Sequence, residues 1–195
     1  MNNAEKLAAI RKLMAQRGVD TYLVLSSDAH QSEYVAPYWR ARAFMSEFTG
    51  SAGTFLVTKD KAAVWVDGRY FLQGEEQTKH TDVALMKIGE PGVPDYTQWM
   101  LDETPEGGVI GVDGRTIGHA RVESLKPRLE KKNLTLSVKM DLVGEIWEDR
   151  PTLPQDPIFD FSAEYTGEAR VERLARLRAK MAELGADYYL IASLD

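Results

Sequence analysis

The 195-residue chain contains no cysteine. Disulfide frameworks, thiolate zinc sites and cysteine nucleophiles are thereby excluded, and a cytoplasmic setting is the expectation. It also lacks an apolar run of bilayer-spanning length, so no membrane association is expected. Basic stretches are missing too: 24 Lys and Arg stand against 30 Asp and Glu, a formal net charge of −6. Nucleic acid is therefore not an expected partner, because neutralising phosphates needs a basic face. The opening MNNAEKLAAIRKLMAQRG reads as a charged amphipathic helix and not as a secretory signal. Histidine is scarce at three, and neither HExxH nor GxSxG occurs. What remains is ordinary globular composition, 44% hydrophobic and 28% charged, enough for one sizeable domain, or for one domain plus part of another.

Leu7, Ile10 and Met14 fall on one helical face, and Gly18 suits the helix end. TYLVLSS then reads as a buried strand, followed from Asp28 to Thr49 by a polar, aromatic loop carrying a short helix. GTFLVT and AAVWVD around KDK predict a hairpin turning near Asp60. RYFLQGEEQ predicts a helix capped by Asp67. Strands are expected at VALMKI, GVIGVD and LTLSVK, and helices at DYTQWMLDE and GHARVESLKPRLEKK. In the last of these, Pro127 is expected to kink or restart the helix. Helices alternating with strands, one pair of strands forming a hairpin, predict an α/β fold: a mixed central sheet with flanking helices.

A proline-rich linker occupies 150–168, and after it the opening pattern returns. EKLAAIRKLMAQRGVDTYLVLSSD from Glu5 aligns without gaps to ERLARLRAKMAELGADYYLIASLD from Glu172. Leu7 matches Leu174, Arg11 Arg178, Met14 Met181, Gly18 Gly185, Asp20 Asp187, Tyr22 Tyr189 and Asp28 Asp195. Shared polar positions favour duplication over convergence. The expected organisation is a domain over 1–149, the linker, and the truncated start of a homologous domain over 169–195.

Three stretches are candidates for chemistry. Asp28, His30 and Glu33 in SDAHQSEY could ligate a metal, but the spacing favours side chains bonding a post-strand loop. FTGSAGT could cradle a phosphate; it lacks a P-loop lysine and leads into a strand, so close backbone approach at Gly50 and Gly53 is the better reading. WRARAF is expected on an exposed loop, where its arginines could clamp a carboxylate, line an interface or simply be solvated. No catalytic constellation emerges.

DAHQSEYVAP, RAFMSEFTGSAGT, VWVDGRYFLQ and EIWEDRP together resemble the Xaa-Pro aminopeptidase (aminopeptidase P) family, in its longer three-domain cytosolic form. The resemblance implies a creatinase/prolidase-type N-terminal domain, a related middle domain, and a C-terminal domain that holds two divalent metals, usually manganese. The metals' ligands, two Asp, one His and two Glu, are expected outside residues 1–195, leaving this fragment inactive and without a cofactor. The implied substrates are peptides with proline in the second position, and the implied assembly is a homodimer. By position, Arg42, Phe44, Arg69, Tyr70 and His30 become substrate-cleft or interface candidates. The family often reads CRRAF here; Ala41 replaces its first arginine. For DGRY, a cap and a buried ion pair explain Asp67 and Arg69 as well as substrate contact does. A pseudo-peptidase that uses the fold as a protein-binding module, as in a histone chaperone subunit, is the alternative.

Overall fold

The computed structural model describes residues 1–191. The chain divides into two compact units, Met1–Leu153 and Pro154–Asp195.

In the first unit, α1 (Asn3–Arg17) starts on a reciprocal cap: the Asn2 side chain accepts the Glu5 N–H at 2.9 Å and Glu5 accepts the Asn2 N–H at 2.8 Å. It stops at Gly18, whose φ of 64° is left-handed. Strand β1 (Thr21–Leu25) follows, then a 3₁₀ turn (Pro37–Trp39) and α2 (Ala41–Ser46). The hairpin β2 (Thr54–Thr58) and β3 (Ala62–Val66) turns where expected, the Thr58 N–H donating to Lys61. Next come a 3₁₀ turn (Gly68–Tyr70), α3 (Phe71–Thr78), β4 (Ala84–Lys87), α4 (Tyr96–Glu103), β5 (Val109–Val112), α5 (His119–Glu130), β6 (Thr135–Ser137) and α6 (Leu142–Ile146). Asp67 caps the 3₁₀ turn that leads into α3, bonding the Arg69 N–H. One helix spans Pro127 without restarting. The ring sits on the exposed side, and so does Glu123, whose carbonyl loses the missing N–H and can turn to water.

The sheet order is β4-β3-β2-β1-β5-β6. Only β2 runs against its neighbours; β1, β3, β4, β5 and β6 share one direction. Apolar residues cover both faces. Tyr22 and Val24 of β1 join Phe55, Val57, Val64 and α1 in one core. Leu23 and Leu25 face the other, with Trp65, Trp99, Met100, Leu125 and Leu129 from α4 and α5. Burial on both faces is why the inner strands read as continuous hydrophobic runs instead of alternating ones.

One consequence positions everything below. Five strands end at the same edge of the sheet, so the loops after β1, β3, β5 and β6 gather there, together with the start of β2. In open α/β sheets this carboxyl edge is where ligands are met.

In the second unit, α7 (Ala163–Thr166) precedes α8 (Arg170–Glu183). The latter ends as α1 does: Gly185 has φ 66°, and the Ala186 N–H donates to Met181 at 2.9 Å just as Val19 donates to Met14 at 2.9 Å. The expected strand does not form over 188–191. A strand is defined by its partners, and the first copy's strand is held by β2 and β5. The remainder of the expected strand lies outside the described residues.

Candidate functional site

The carboxyl edge is organised around Arg42. Helix α2 turns this residue inward, so the expectation of an exposed loop is corrected: Arg42 is only 5% exposed. Its Nη1 donates to the Phe48 carbonyl, its Nη2 to the Gly50 carbonyl, and its Nε to Ser26 Oγ at 2.8 Å. Ser26 in turn donates to the Gly53 carbonyl at 2.7 Å. Among the described residues no carboxylate bonds the guanidinium, and burial lowers its pKa to about 10, which still leaves it charged at neutral pH. The fork therefore pins the loop between α2 and β2 by its main-chain oxygens.

That loop is closely packed. A Cβ on Gly50 would stand 2.3 Å from Phe48 Cζ and 2.7 Å from Tyr70 Cδ1, and one on Gly53 would stand 3.0 Å from the Trp65 carbonyl oxygen. Close approach, not phosphate binding, accounts for both glycines. On the outer face of the loop, Ser51 Oγ and Tyr70 OH are 2.7 Å apart. That hydrogen bond holds the Tyr70 phenol below its ordinary pKa.

The other predicted positions fall on the same edge with different partners. Arg69 is exposed and chelates Asp67 through Nε at 2.9 Å and Nη2 at 2.8 Å, so the expected ion pair is present but is not buried. The Arg69 hydrogen bond keeps the Asp67 carboxyl below the usual range. Phe44 stacks on Trp147, ring centroids 4.6 Å apart, with Lys6 Nζ 4.5 Å from its centroid. His30 lies in the loop after β1, where Asp28 Oδ1 accepts its N–H at 2.8 Å and that of Ser32 at 3.0 Å. Burial works against the Asp28 charge, yet the N–H groups of Ser32 and His30 hold the carboxyl low. The loop-bonding reading of SDAHQSEY is thus the observed one.

A second cluster was not anticipated. At the end of β5, Asp113 and Arg115 repeat the geometry of Asp67 and Arg69: Oδ1 accepts the Arg115 N–H and Nε, both at 3.0 Å, and Oδ2 accepts Nη2 at 2.8 Å. Arg115 also bonds Asp141 at 2.6 Å, and Arg150 bonds the same Asp141 oxygen at 2.5 Å. Arg150 lies 3.8 Å over the Tyr38 ring. The signal was available, because Val-Asp-Gly-Arg occurs at 66–69 and again at 112–115. These groups border a cleft of about 840 Å³ lined by Tyr38, Arg115, Lys139, Asp141, Glu145 and Arg150.

Comparison with known proteins places this arrangement. The creatinase/prolidase N-terminal domain family matches residues 6–140, and a second family of the same description matches 149–195. The chain belongs to the creatinase/prolidase N-terminal domain family. It is 43% identical to aminopeptidase P2 of Arabidopsis thaliana over 98% of its own length and 28% of that protein's. It is 39% identical to a probable Xaa-Pro aminopeptidase P of Neurospora crassa, covering 29% of that protein. Among solved structures it is similar to the X-prolyl aminopeptidase of Caenorhabditis elegans, described as a cytosolic enzyme with a di-nuclear active site. That match has a TM-score of 0.84 and 34% identity, over 96% of this chain and 32% of that one. It is also similar to the N-terminal domain of the peptidase PepQ from Mycobacterium tuberculosis, with a TM-score of 0.53 and 25% identity. The chain thus spans less than a third of the length of these Xaa-Pro aminopeptidases.

A di-metal centre needs several His, Asp or Glu donors around one point. Among the described residues no three His, Asp or Glu are gathered around a common point. His30 follows β1, His80 follows α3 and His119 opens α5. Asp113 and Asp141 are bridged by Arg115. The described residues do not fit such a centre.

Proposed function

We propose that these residues are the N-terminal, non-catalytic part of a metal-dependent Xaa-Pro aminopeptidase. Such an enzyme removes the first residue from peptides with proline in the second position. The observation that carries this reading is full-length similarity to part of a larger enzyme: 98% of this chain against 28% of the Arabidopsis aminopeptidase. In this proposal the chemistry, with two divalent metals and manganese the expected one, belongs to sequence outside residues 1–195. The domain contributes its carboxyl edge to the substrate cleft or to a homodimer interface. Tyr70, Ser51, Arg69 and His30 supply the outer surface, Phe44 supports it, and Arg42 acts through the loop it pins. A cytoplasmic location is part of the same reading, supported by the nematode relative's description as cytosolic. No helix among the described residues is long and apolar enough to cross a membrane.

The domain organisation is proposed on separate grounds. Polar residues shared by the two repeats bond, in the first copy, to atoms outside the repeated segment. Arg11 Nε donates to the Thr58 carbonyl at 3.0 Å, Asp20 accepts the Val109 N–H at 2.8 Å, and Tyr22 OH donates to Met140 at 2.9 Å. Retaining Arg178, Asp187 and Tyr189 makes sense if a hairpin, a fifth strand and a segment after a sixth strand exist for them as well. The second unit is accordingly the opening of a second creatinase-type domain.

The test is an assay of the purified 195-residue chain on an Xaa-Pro peptide with added manganese, read by mass spectrometry. No release of the first residue is expected. Release that a chelator abolishes would overturn the division of labour.

A further inference from the structure

The first unit does not simply end after α6; it doubles back. From Asp141 the chain crosses the carboxyl edge and fastens onto the segment that carries α2. Trp147 stacks nearly parallel on Phe44, with 13° between the rings. Arg150, its side chain only 10% exposed, donates through Nε to the Tyr38 carbonyl at 2.9 Å and through Nη1 to Asp141 at 2.5 Å. Its guanidinium covers the Tyr38 ring at 3.8 Å. Asp141 closes the circuit by capping α6, accepting the Gly144 N–H at 2.8 Å. The next regular element after Arg150 is α7, and residues 151–162 are exposed. Among the described residues, Arg150 is thus the last side chain hydrogen-bonded within the first unit.

We propose that Asp141–Arg150 is a strap that sets the conformation of the carboxyl-edge loop together with the point where the chain leaves the first unit. The coupling is a short series of contacts. Arg150 holds Tyr38, and Trp147 holds Phe44. Between them runs α2, whose Arg42 holds the carbonyls of Phe48 and Gly50. A stacked, forked guanidinium suits this task because it fixes direction as well as distance. The strap makes the exit of the chain and the Ser51–Tyr70 surface a single mechanical unit. Whatever follows Arg150 is then felt at that surface, and a ligand on that surface is felt at the linker.

Hydrogen exchange on the 195-residue chain tests this. Arg150→Met and Trp147→Leu each remove one end of the strap; Glu148→Ala, at an exposed position, is the control. In the two strap variants the amides of 38–44 and 49–51 are expected to exchange about tenfold faster, with β2 and β3 unchanged. Arg150→Lys keeps the charge without the fork and is expected to restore part of the protection. Faster exchange confined to 147–150 would overturn the strap. A uniform rise through β1, β2 and β3 would overturn it as well, marking Arg150 as a residue of general stability.

Discussion

Arg42 donates to two buried carbonyls, those of Phe48 and Gly50. Arg42→Ala leaves two buried carbonyls unsatisfied, and at about 1–3 kcal/mol for each such group the expected loss is about 3 kcal/mol. Denaturant unfolding with an unchanged m-value checks this; a loss below about 0.5 kcal/mol, ordinary for a surface position, would contradict the pinning role. Gly50 should be nearly as intolerant. A methyl group 2.3 Å from the Phe48 ring forces two aromatic side chains to move, and overpacking of this kind costs about 1–3 kcal/mol. The measurement is the unfolding midpoint of Gly50→Ala. Asp141 carries a pH signature. Burial raises its pKa, but bonds from Arg150 and the Gly144 N–H, with the charge of Arg115, bring it below the ordinary value. A depressed carboxylate contributes stability above its unfolded pKa of about 3.9 and loses it as pH falls through the folded value. Asp141→Asn should therefore flatten the decline of unfolding free energy below about pH 4. An unchanged slope would remove Asp141 from the acid response.

At the scale of elements, α5 makes a prediction against appearances. Proline inside a helix costs about 3 kcal/mol, offset by roughly 0.4–1 kcal/mol of unfolded-chain entropy. Pro127 sits on the exposed side of an unbroken helix, so Pro127→Ala should stabilise the chain by about 2 kcal/mol in thermal or denaturant unfolding. A neutral or destabilising result would mean that the ring has a packing partner. The same helix shows how propensity misleads. Leu125 and Leu129 are anchored in the core on either side of Pro127, and tertiary burial outweighs one missing hydrogen bond. The other elements were legible because their signals were local: the Leu7, Ile10 and Met14 face, Gly18 at the helix end, the KDK hairpin, and the continuous apolar runs of the strands. Arg42 of WRARAF was misread for the opposite reason, while Arg40 is exposed as expected. Arg42 sits beside aromatics in the sequence, which suggests a surface. Its partners, the carbonyls of Phe48 and Gly50, carry no residue identity and cannot be seen in a pattern of side chains. Arg150 meeting Tyr38 is hidden in the same way, since the two are 112 positions apart.

Taken as a whole molecule, the chain forms two compact units, Met1–Leu153 and Pro154–Asp195, and the first has a furnished carboxyl edge; among the described residues no set of metal ligands is gathered. Fold and family were readable from motifs at 28–37, 42–54 and 64–73 because those motifs build the edge itself. The part each residue plays was not readable, since it depends on which guanidinium turns inward, as Arg42 does, and which outward, as Arg69 does. The proposed role of this edge is to serve chemistry located elsewhere in a longer polypeptide. The most direct measurement compares residues 1–195 with the full reading frame that contains them, each given manganese and a peptide with proline in the second position. The account predicts that the full product releases the first residue in a chelator-sensitive manner and that residues 1–195 release none. Turnover by residues 1–195, or a full product that releases nothing, would contradict it.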